Sequence, residues 1–244
     1  MYSWLASTGM ALADKAWGPN GIQLARVALT CGLAVVAWRL TRPAGALAGR
    51  ILAVAVVLVV GTGAWTERPL LVALLLMGLL VLAAESEGGP RWPVAGLMWA
   101  WVNVHGSWPL GLVYLVVRLL GRRLDGEPPG RLSQVLAAAG IGTLAGAINP
   151  LGPRLLVFPI ELLGRHDLLE RVVEWRSPNF SRPTNLVLLG GVLLALLLAG
   201  RRRSWEDTLV VSVFGAAACI AVRNEPMATL AIAPALARGL AGLG

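Results

Sequence analysis

Charged residues are scarce in this chain of 244 amino acids, and that scarcity excludes most protein classes. Charged side chains make up 14% of the sequence and apolar side chains 57%, with a mean hydropathy of +0.71. Ordinary soluble domains carry about 25% charged residues, and a chain this apolar has too few polar groups to cover its own surface. The composition therefore predicts a polytopic membrane protein, and it excludes the disordered, collagen-like and coiled-coil classes.

Cysteine and histidine are also scarce, with two residues of each. Cys31 and Cys219 both lie inside apolar runs, so they form neither a disulfide framework nor a four-ligand zinc site. The sequence contains no P-loop, no GxGxxG after a strand, and no HExxH, CxxC or GxSxG motif. We therefore expect no metal and no cofactor.

Lysine occurs once, at Lys15, so 20 of the 21 basic residues are arginine and the net charge is +8. Most of these arginines lie between apolar runs, where positive charge sets the orientation of membrane spans. No basic stripe with interleaved aromatic residues is present, so we expect no nucleic-acid partner.

The apolar runs predict an all-α, polytopic transmembrane helix bundle that forms one domain over residues 1–244. About nine short spans are expected, and a run of 16 residues rises only about 24 Å against a hydrocarbon thickness of roughly 30 Å. Residues 2–17 predict a further helix that lies at the outer interface. The nine runs are Ile22–Trp38, Ile51–Trp65, Pro69–Ala84, Trp92–Val104, Ser107–Leu120, Leu132–Ile148, Thr184–Ala199, Asp207–Val222 and Pro226–Leu240.

The arginines predict how the bundle is oriented in the lipid bilayer. Ten of them fall in three short loops, 39–50, 118–131 and 200–206, whereas the short loops assigned to the other side, 66–68 and 223–225, hold only Arg68 and Arg223. The positive-inside rule then places the N-terminus outside and the C-terminus in the cytoplasm. This assignment requires two antiparallel helices over residues 92–120. The alternative is a single broken span there, which would invert the orientation of every later span in the membrane.

With this orientation, polar residues gather on the outer side, where ionisable groups usually face a cavity or a partner. We therefore expect a shared outward-facing cavity, although each residue also has a structural explanation. Asn103 and His105 would satisfy the backbone of a broken helix, Asn149 would end one, and Glu174 would pair with Arg171 or Arg176. The candidate residues are Glu67, Arg68, Asn103, His105, Asn149, Glu174, Arg223 and Asn224.

The segment 150–183 is the one long loop assigned to the outer side. Asp167 followed by Glu170 predicts a capping box, and the apolar residues after Asp167 predict an amphipathic helix lying on the membrane surface. Separately, Gly142 and Gly146 form a small-xxx-small pattern that predicts close helix packing.

Five short motifs occur in one order along the chain: Arg68-Pro69, Trp101-Val-Asn103-Val-His105-Gly106, Asn149-Pro150-Leu-Gly152, Glu174-Trp175-Arg-Ser177-Pro178 and Arg223-Asn224. In this order they resemble a family of bacterial multi-spanning membrane proteins related to GT-C-type glycosyltransferases. The resemblance runs from about Trp4 to the C-terminus. It implies a multi-pass protein of the bacterial plasma (inner) membrane with an active site on the outer face and a sugar donor carried on polyprenyl phosphate.

The resemblance also implies roles for individual residues. The lipid phosphate and substrate would be bound by Arg68, Asn103, His105, Asn149, Arg223 and Asn224. The catalytic carboxylate of GT-C-type enzymes typically lies in a first outer loop, and this sequence begins where that loop would end, with Ser3-Trp4-Leu5 resembling its closing residues. Glu174 and then Glu67 are the remaining candidates for a carboxylate.

Three functional hypotheses follow. The chain is a GT-C-like glycosyltransferase or a fragment of one, or it is a non-catalytic scaffold or subunit that works with a second membrane protein. A small-molecule transporter is disfavoured because no internal repeat is found.

Overall fold

A computed structural model describes residues 3–66, 68–86, 88, 90–164 and 172–241. Within these ranges the chain is helical and contains no β-strand. Four short 3₁₀ turns lie at Arg42–Ala44, Thr62–Ala64, Val173–Trp175 and Val222–Asn224. The α-helices are α1 (Trp4–Trp17), α2 (Pro19–Leu40), α3 (Leu47–Gly61), α4 (Pro69–Glu85), α5 (Trp92–Val104), α6 (Pro109–Leu124), α7 (Gly130–Ala145), α8 (Arg154–Leu163), α9 (Pro183–Arg202), α10 (Trp205–Ile220) and α11 (Glu225–Leu240).

Proline sets where several helices begin. The N–H groups of the first helical turn have no hydrogen-bond partner within the helix, so proline, which has no N–H, loses no bond there. Its fixed φ also suits the first helical position. Four helices have proline as their first residue: α2, α4, α6 and α9. At α10, the Ser204 Oγ accepts a hydrogen bond from the Asp207 N–H at 3.2 Å, which caps the helix. Local sequence therefore fixes the starts of these five helices.

α11 forms the centre of the bundle. Every residue from Glu225 to Leu240 except Arg238 is buried, and α11 packs against α2, α3, α4, α9 and α10. A helix that is apolar on nearly all sides lies in the core of a protein or in a membrane, and here the neighbouring helices cover it. A second group, α5, α6 and α7, joins this centre through α4 and through the α6–α10 contact, and α1 lies across α2 and α5.

Small residues allow α5 and α7 to approach closely, as their pattern predicts. A Cβ atom at Gly142 would lie 2.1 Å from the carbonyl oxygen of Ala95, and one at Gly146 would lie 2.7 Å from a methyl group of Val102. Neither distance is sterically allowed, so only glycine fits at these two positions. The predicted packing role of this pattern is confirmed.

All nine predicted apolar runs contain a helix, and the predicted N-terminal helix is α1. Three helical segments of the described chain are long and apolar enough to cross a membrane: Pro19–Ala44, Leu47–Ala64 and Pro183–Arg202, with mean hydropathies of 1.5, 2.1 and 2.0. The fold is thus all-α with three helices of spanning length.

α5 and α6 run in opposite directions. His105 adopts an extended conformation (φ −160°, ψ 140°) that breaks the helix. Arg118, near the end of α6, then contacts Glu85, which immediately precedes the connection to α5. The chain therefore returns to the end of the bundle from which α5 started, which is the antiparallel arrangement rather than one broken helix. Arg118, counted as a loop residue from the sequence, lies inside α6 and is 5% exposed.

The segment 150–183 contains a helix that the sequence analysis did not predict, α8. The predicted capping box, Asp167 with Glu170, lies outside the described residues. The last part of the predicted amphipathic helix is a 3₁₀ turn at Val173–Trp175.

Candidate ligand-binding site

Polar groups collect at the two ends of the bundle. At one end Arg202 pairs with Asp207 at 3.5 Å, and Arg118 pairs with Glu206. The loop after α2 reaches the same end. Gly49, in the first turn of α3 after this loop, lies against the last residue of α11, because a Cβ atom built at Gly49 would be 3.4 Å from the Cβ of Leu240. All three arginine-rich loops thus share this end, which we call the arginine-rich end. The opposite end, called the cavity end, contains Arg68, Glu174 and Arg223.

A cavity of about 680 Å³, called the polar cavity, lies at the cavity end. Its walls are the α3–α4 connection, the segment between Val173 and Asn185, and the α10–α11 connection. Two carboxylates and four guanidinium groups line it, so its formal charge is positive and it favours an anionic ligand. These charged residues are Arg68, Glu174, Arg176, Arg182, Arg223 and Glu225.

Hydrogen bonds and a cation–π contact hold the Val173–Ser177 segment against the α10–α11 connection. The Val222 N–H donates to the Arg176 carbonyl at 3.0 Å, and the guanidinium of Arg223 lies 4.2 Å from the centre of the Trp175 ring. The Ser177 hydroxyl is 3.3 Å from the carbonyl oxygen of residue 220. Two motifs separated by more than forty residues in sequence therefore form one wall of the polar cavity.

Glu174 joins a third motif to this wall. Its Oε1 lies 2.5 Å from Nη1 of Arg68, and the two side chains are 51% and 64% exposed. Of the two partners that the sequence offers for Glu174, Arg171 lies outside the described residues and Arg176 forms no ion pair with it, whereas Arg68 does. An ion pair this exposed contributes about 0–1 kcal/mol, so a ligand can replace it at low cost.

Burial controls the protonation of the groups nearest this wall. Burial lowers the pKa of Arg223, and the nearby Glu174 opposes that shift. The pKa of His105 falls to about 4, mainly because of burial and secondly because of the positive charge of Arg223, while Glu174 raises it. His105 is therefore neutral at pH 7. Its Nδ1 accepts the Ser107 N–H at 3.1 Å, which places the ring hydrogen on Nε2.

Two of the predicted asparagines are used to hold the backbone. The Oδ1 of Asn103 accepts the Trp4 indole N–H at 2.8 Å, and its Nδ2 donates to the Trp99 carbonyl at 2.7 Å. The Gly146 carbonyl receives a second bond from Asn103 at 3.5 Å and one from Asn149 at 2.6 Å. The two motifs that contain these asparagines therefore meet at the end of α7.

Of the eight predicted site residues, the polar cavity brings together Arg68, Glu174 and Arg223. Asn224 lies beside it, but its Nδ2 donates to the carbonyl of Ala217 at 2.9 Å and so closes the end of α10. Asn103, His105 and Asn149 do not line the cavity. Glu67 lies outside the described residues.

A second cavity, about 510 Å³ and called the apolar cavity, lies between α1, α2, α4 and α5. It adjoins the polar cavity, because Thr66 and Arg68 line both. Its walls are otherwise mainly aliphatic and include Leu5, Met10, Ile22, Leu29, Leu71, Val72 and Leu76. The two cavities together match a ligand with a hydrocarbon chain and an anionic headgroup, with Arg68 at the junction.

Arg176, Arg182 and Glu225 line the cavity but are not among the eight candidate residues chosen from the sequence. Arg182 and Glu225 each precede a proline at the start of a helix, which is a common structural context and gives no signal of a site. Arg176 lies inside the Glu174–Pro178 motif, which was the one available signal.

The arrangement can bind an anion through arginine and surround a hydrocarbon chain. In the described part of the chain, no group of three or more His, Cys, Asp or Glu residues is placed to hold a metal ion. The chain matches no family model, no curated protein and no solved structure.

Proposed function

We propose that the chain is a GT-C-like membrane glycosyltransferase that uses a polyprenyl-phosphate-linked sugar on the extracytoplasmic face of the bacterial inner membrane. The observation that carries this proposal is the junction of the two cavities at Arg68. The apolar cavity suits the isoprenoid chain, and the polar cavity, with its four arginines, suits the phosphate and the sugar.

Arginine is well suited to the phosphate, because its planar guanidinium donates two parallel hydrogen bonds to phosphate oxygens. Arg68 is at the junction, where the lipid phosphate would pass from the apolar to the polar cavity. Its exposed pair with Glu174 is weak, so the phosphate would displace the carboxylate from Arg68 on binding. Arg223 is held by Trp175 and would supply the second contact.

We propose that the shorter apolar helices also lie in the bilayer, which gives the nine-span bundle expected from the sequence. Two side chains on the outside of α7 support this, since Ile141 and Leu144 are 65% and 71% exposed and lipid would cover them. The arginine-rich end would then face the cytoplasm, and the cavity end the exterior.

Glycosyl transfer requires a base or a charge-stabilising carboxylate near the acceptor. Glu174 becomes available once phosphate occupies Arg68, so it remains the first candidate, and Glu67 remains the second. A non-catalytic subunit that binds the same lipid is the second candidate function. The pairing of Glu174 with Arg68 favours it, because that carboxylate then only positions an arginine.

Transfer from a radiolabelled polyprenyl-phosphate-linked sugar tests the enzymatic proposal in membranes that contain the full chain. We expect Arg223→Ala and Glu174→Ala each to reduce transfer at least about tenfold. Arg123→Ala, which alters an exposed residue at the opposite end of the bundle, is the matched control and should leave transfer unchanged. Unchanged transfer in both cavity variants would show that the site assignment is wrong. Lipid binding without transfer would favour the non-catalytic subunit.

Cysteine accessibility tests the orientation. In a background in which Cys31 and Cys219 are replaced, single cysteines at positions 105 and 224 should both react with an impermeant reagent added outside the cell. Labelling of the two positions from opposite sides of the membrane would contradict the proposed orientation.

A further inference from the structure

Glu225 is the most buried charged residue of the polar cavity. It begins α11, is 6% exposed, and lines the cavity beside Arg223. Its Oε1 makes no hydrogen bond to any residue that the structure describes. No arginine or lysine nitrogen of the described chain forms an ion pair with it.

An unsatisfied buried carboxyl oxygen is costly in a folded protein, and such groups call for an explanation. The other buried carboxylates of this chain differ sharply from Glu225. Asp207, for example, is 2% exposed and is paired with Arg238. The absence of a partner for Glu225 is therefore not a general property of the buried acidic side chains in this bundle.

The surroundings of Glu225 narrow the kind of group that it can bind. A metal ion would need further acidic or histidine ligands, and the described residues provide no such group. The four arginines of the cavity repel a free cation. A neutral hydroxyl donor has neither difficulty, since a carboxyl group accepts its hydrogen whether it is ionised or protonated.

We propose that Glu225 is a specificity-determining residue that accepts a hydrogen bond from a hydroxyl group of the sugar carried on the lipid phosphate. This rests on the proposed function, because the phosphate must first bind at Arg68 and Arg223. Glu225 follows Arg223 by two residues, and two residues of chain span at most about 7 Å. One headgroup can therefore reach both side chains. The terminal torsion of glutamate is broad, so rotation brings either oxygen to the ligand.

Binding of two probes to the purified full chain in nanodiscs tests this inference. The probes are polyprenyl methyl phosphate and polyprenyl phosphate carrying glucose, two phosphodiesters with the same single negative charge. A hydrogen bond to a carboxyl oxygen corresponds to about a tenfold preference, so we expect the wild-type chain to bind the glucose-bearing lipid about tenfold more tightly.

Substitutions at Glu225 separate hydroxyl recognition from a structural role. Glu225→Met removes the acceptor but keeps the length of the side chain, and it should abolish the preference while leaving polyprenyl methyl phosphate binding within about twofold of wild type. Glu225→Gln keeps a neutral oxygen acceptor and should show an intermediate preference. The matched control is Thr229→Val, one turn further along α11, because Thr229 is 3% exposed and its hydroxyl donates to the Pro226 carbonyl. It should keep the wild-type preference.

The outcomes distinguish this inference from the proposed function. If the wild-type chain binds both lipids equally, the role of Glu225 is wrong while lipid-phosphate binding stands. If it binds neither lipid, both proposals fall. A wild-type preference that persists in Glu225→Met also overturns the inference, and if that variant does not fold, an unreduced preference in Glu225→Gln does so.

Discussion

Replacing Arg118 by methionine should strongly destabilise the fold, because Arg118 joins three helices at the arginine-rich end. Its Nη1 lies 2.9 Å from Oε1 of Glu85 on α4, and its Nε donates to Oε1 of Glu206 on α10 at 2.7 Å. The side chains of these three residues are 6%, 17% and 14% exposed, respectively. The substitution would leave two largely buried carboxylates with less positive charge near them.

The size of the effect follows from the geometry. Two unit charges 4 Å apart attract by about 4 kcal/mol at an effective dielectric constant of 20, so the two pairs of Arg118 together supply roughly 8 kcal/mol. Taking the guanidinium out of water costs several kcal/mol, which offsets part of this attraction. Glu85 and Glu206 keep their second partners, Arg238 at 2.6 Å and Arg122 at 3.9 Å. We expect a loss of about 3–5 kcal/mol in the free energy of unfolding.

Unfolding of the full chain in mixed micelles of dodecyl maltoside and SDS, followed by the fluorescence of its ten tryptophans, measures this loss. Arg123→Met is the matched control, because Arg123 lies on the same helix and is exposed, and it should change stability by no more than about 0.5 kcal/mol. A loss below about 1 kcal/mol for Arg118→Met would refute the reasoning. Adding Glu85→Gln to Arg118→Met should recover part of the loss, because it removes one of the carboxylates left behind.

Two further predictions concern acid sensitivity and helix packing. The pKa of His105 is about 4 in the folded protein against 6.5 in an ordinary histidine, so the unfolded chain binds more protons between these two pH values. About 3 kcal/mol of the free energy of unfolding should therefore be lost as the pH falls from 6.5 to 4. His105→Gln should flatten that pH dependence in the same micelle assay. An equal pH dependence in His105→Gln would contradict the assignment. Gly142→Ala should destabilise the fold by about 1–3 kcal/mol, because its Cβ would meet the Ala95 carbonyl. Gly140→Ala on the same helix, where nothing lies within 4 Å, should be neutral or stabilising, and equal effects of the two substitutions would rule out the close approach.

Most helices of this protein could be predicted from the sequence because their cause is local. An apolar run bounded by proline and arginine forms a helix wherever it lies, and α4 begins at Pro69, where the predicted run begins. The sequence also predicts that the three arginine-rich loops share one end of the bundle, because successive spans alternate in direction.

The candidate site could be predicted only in part. Arg68, Glu174 and Arg223 were chosen for their charge next to apolar runs, and the structure brings them to one cavity. Asn103 was chosen for the same kind of reason, yet its amide is fully buried and bonded to Trp4 and Trp99. An amide in a sequence looks the same whether it faces a ligand or a neighbouring helix.

The sequence by itself determined where most of the helices lie and which loops carry positive charge, because these depend on residues within a few turns of one another. Only the tertiary structure decided the partner of Glu174, 106 positions away at Arg68, and the burial of Glu225 next to Arg223. Both depend on which helices become neighbours around α11. Which helices become neighbours depends on the packing of side chains that are distant in sequence, and a local sequence pattern contains no information about that packing.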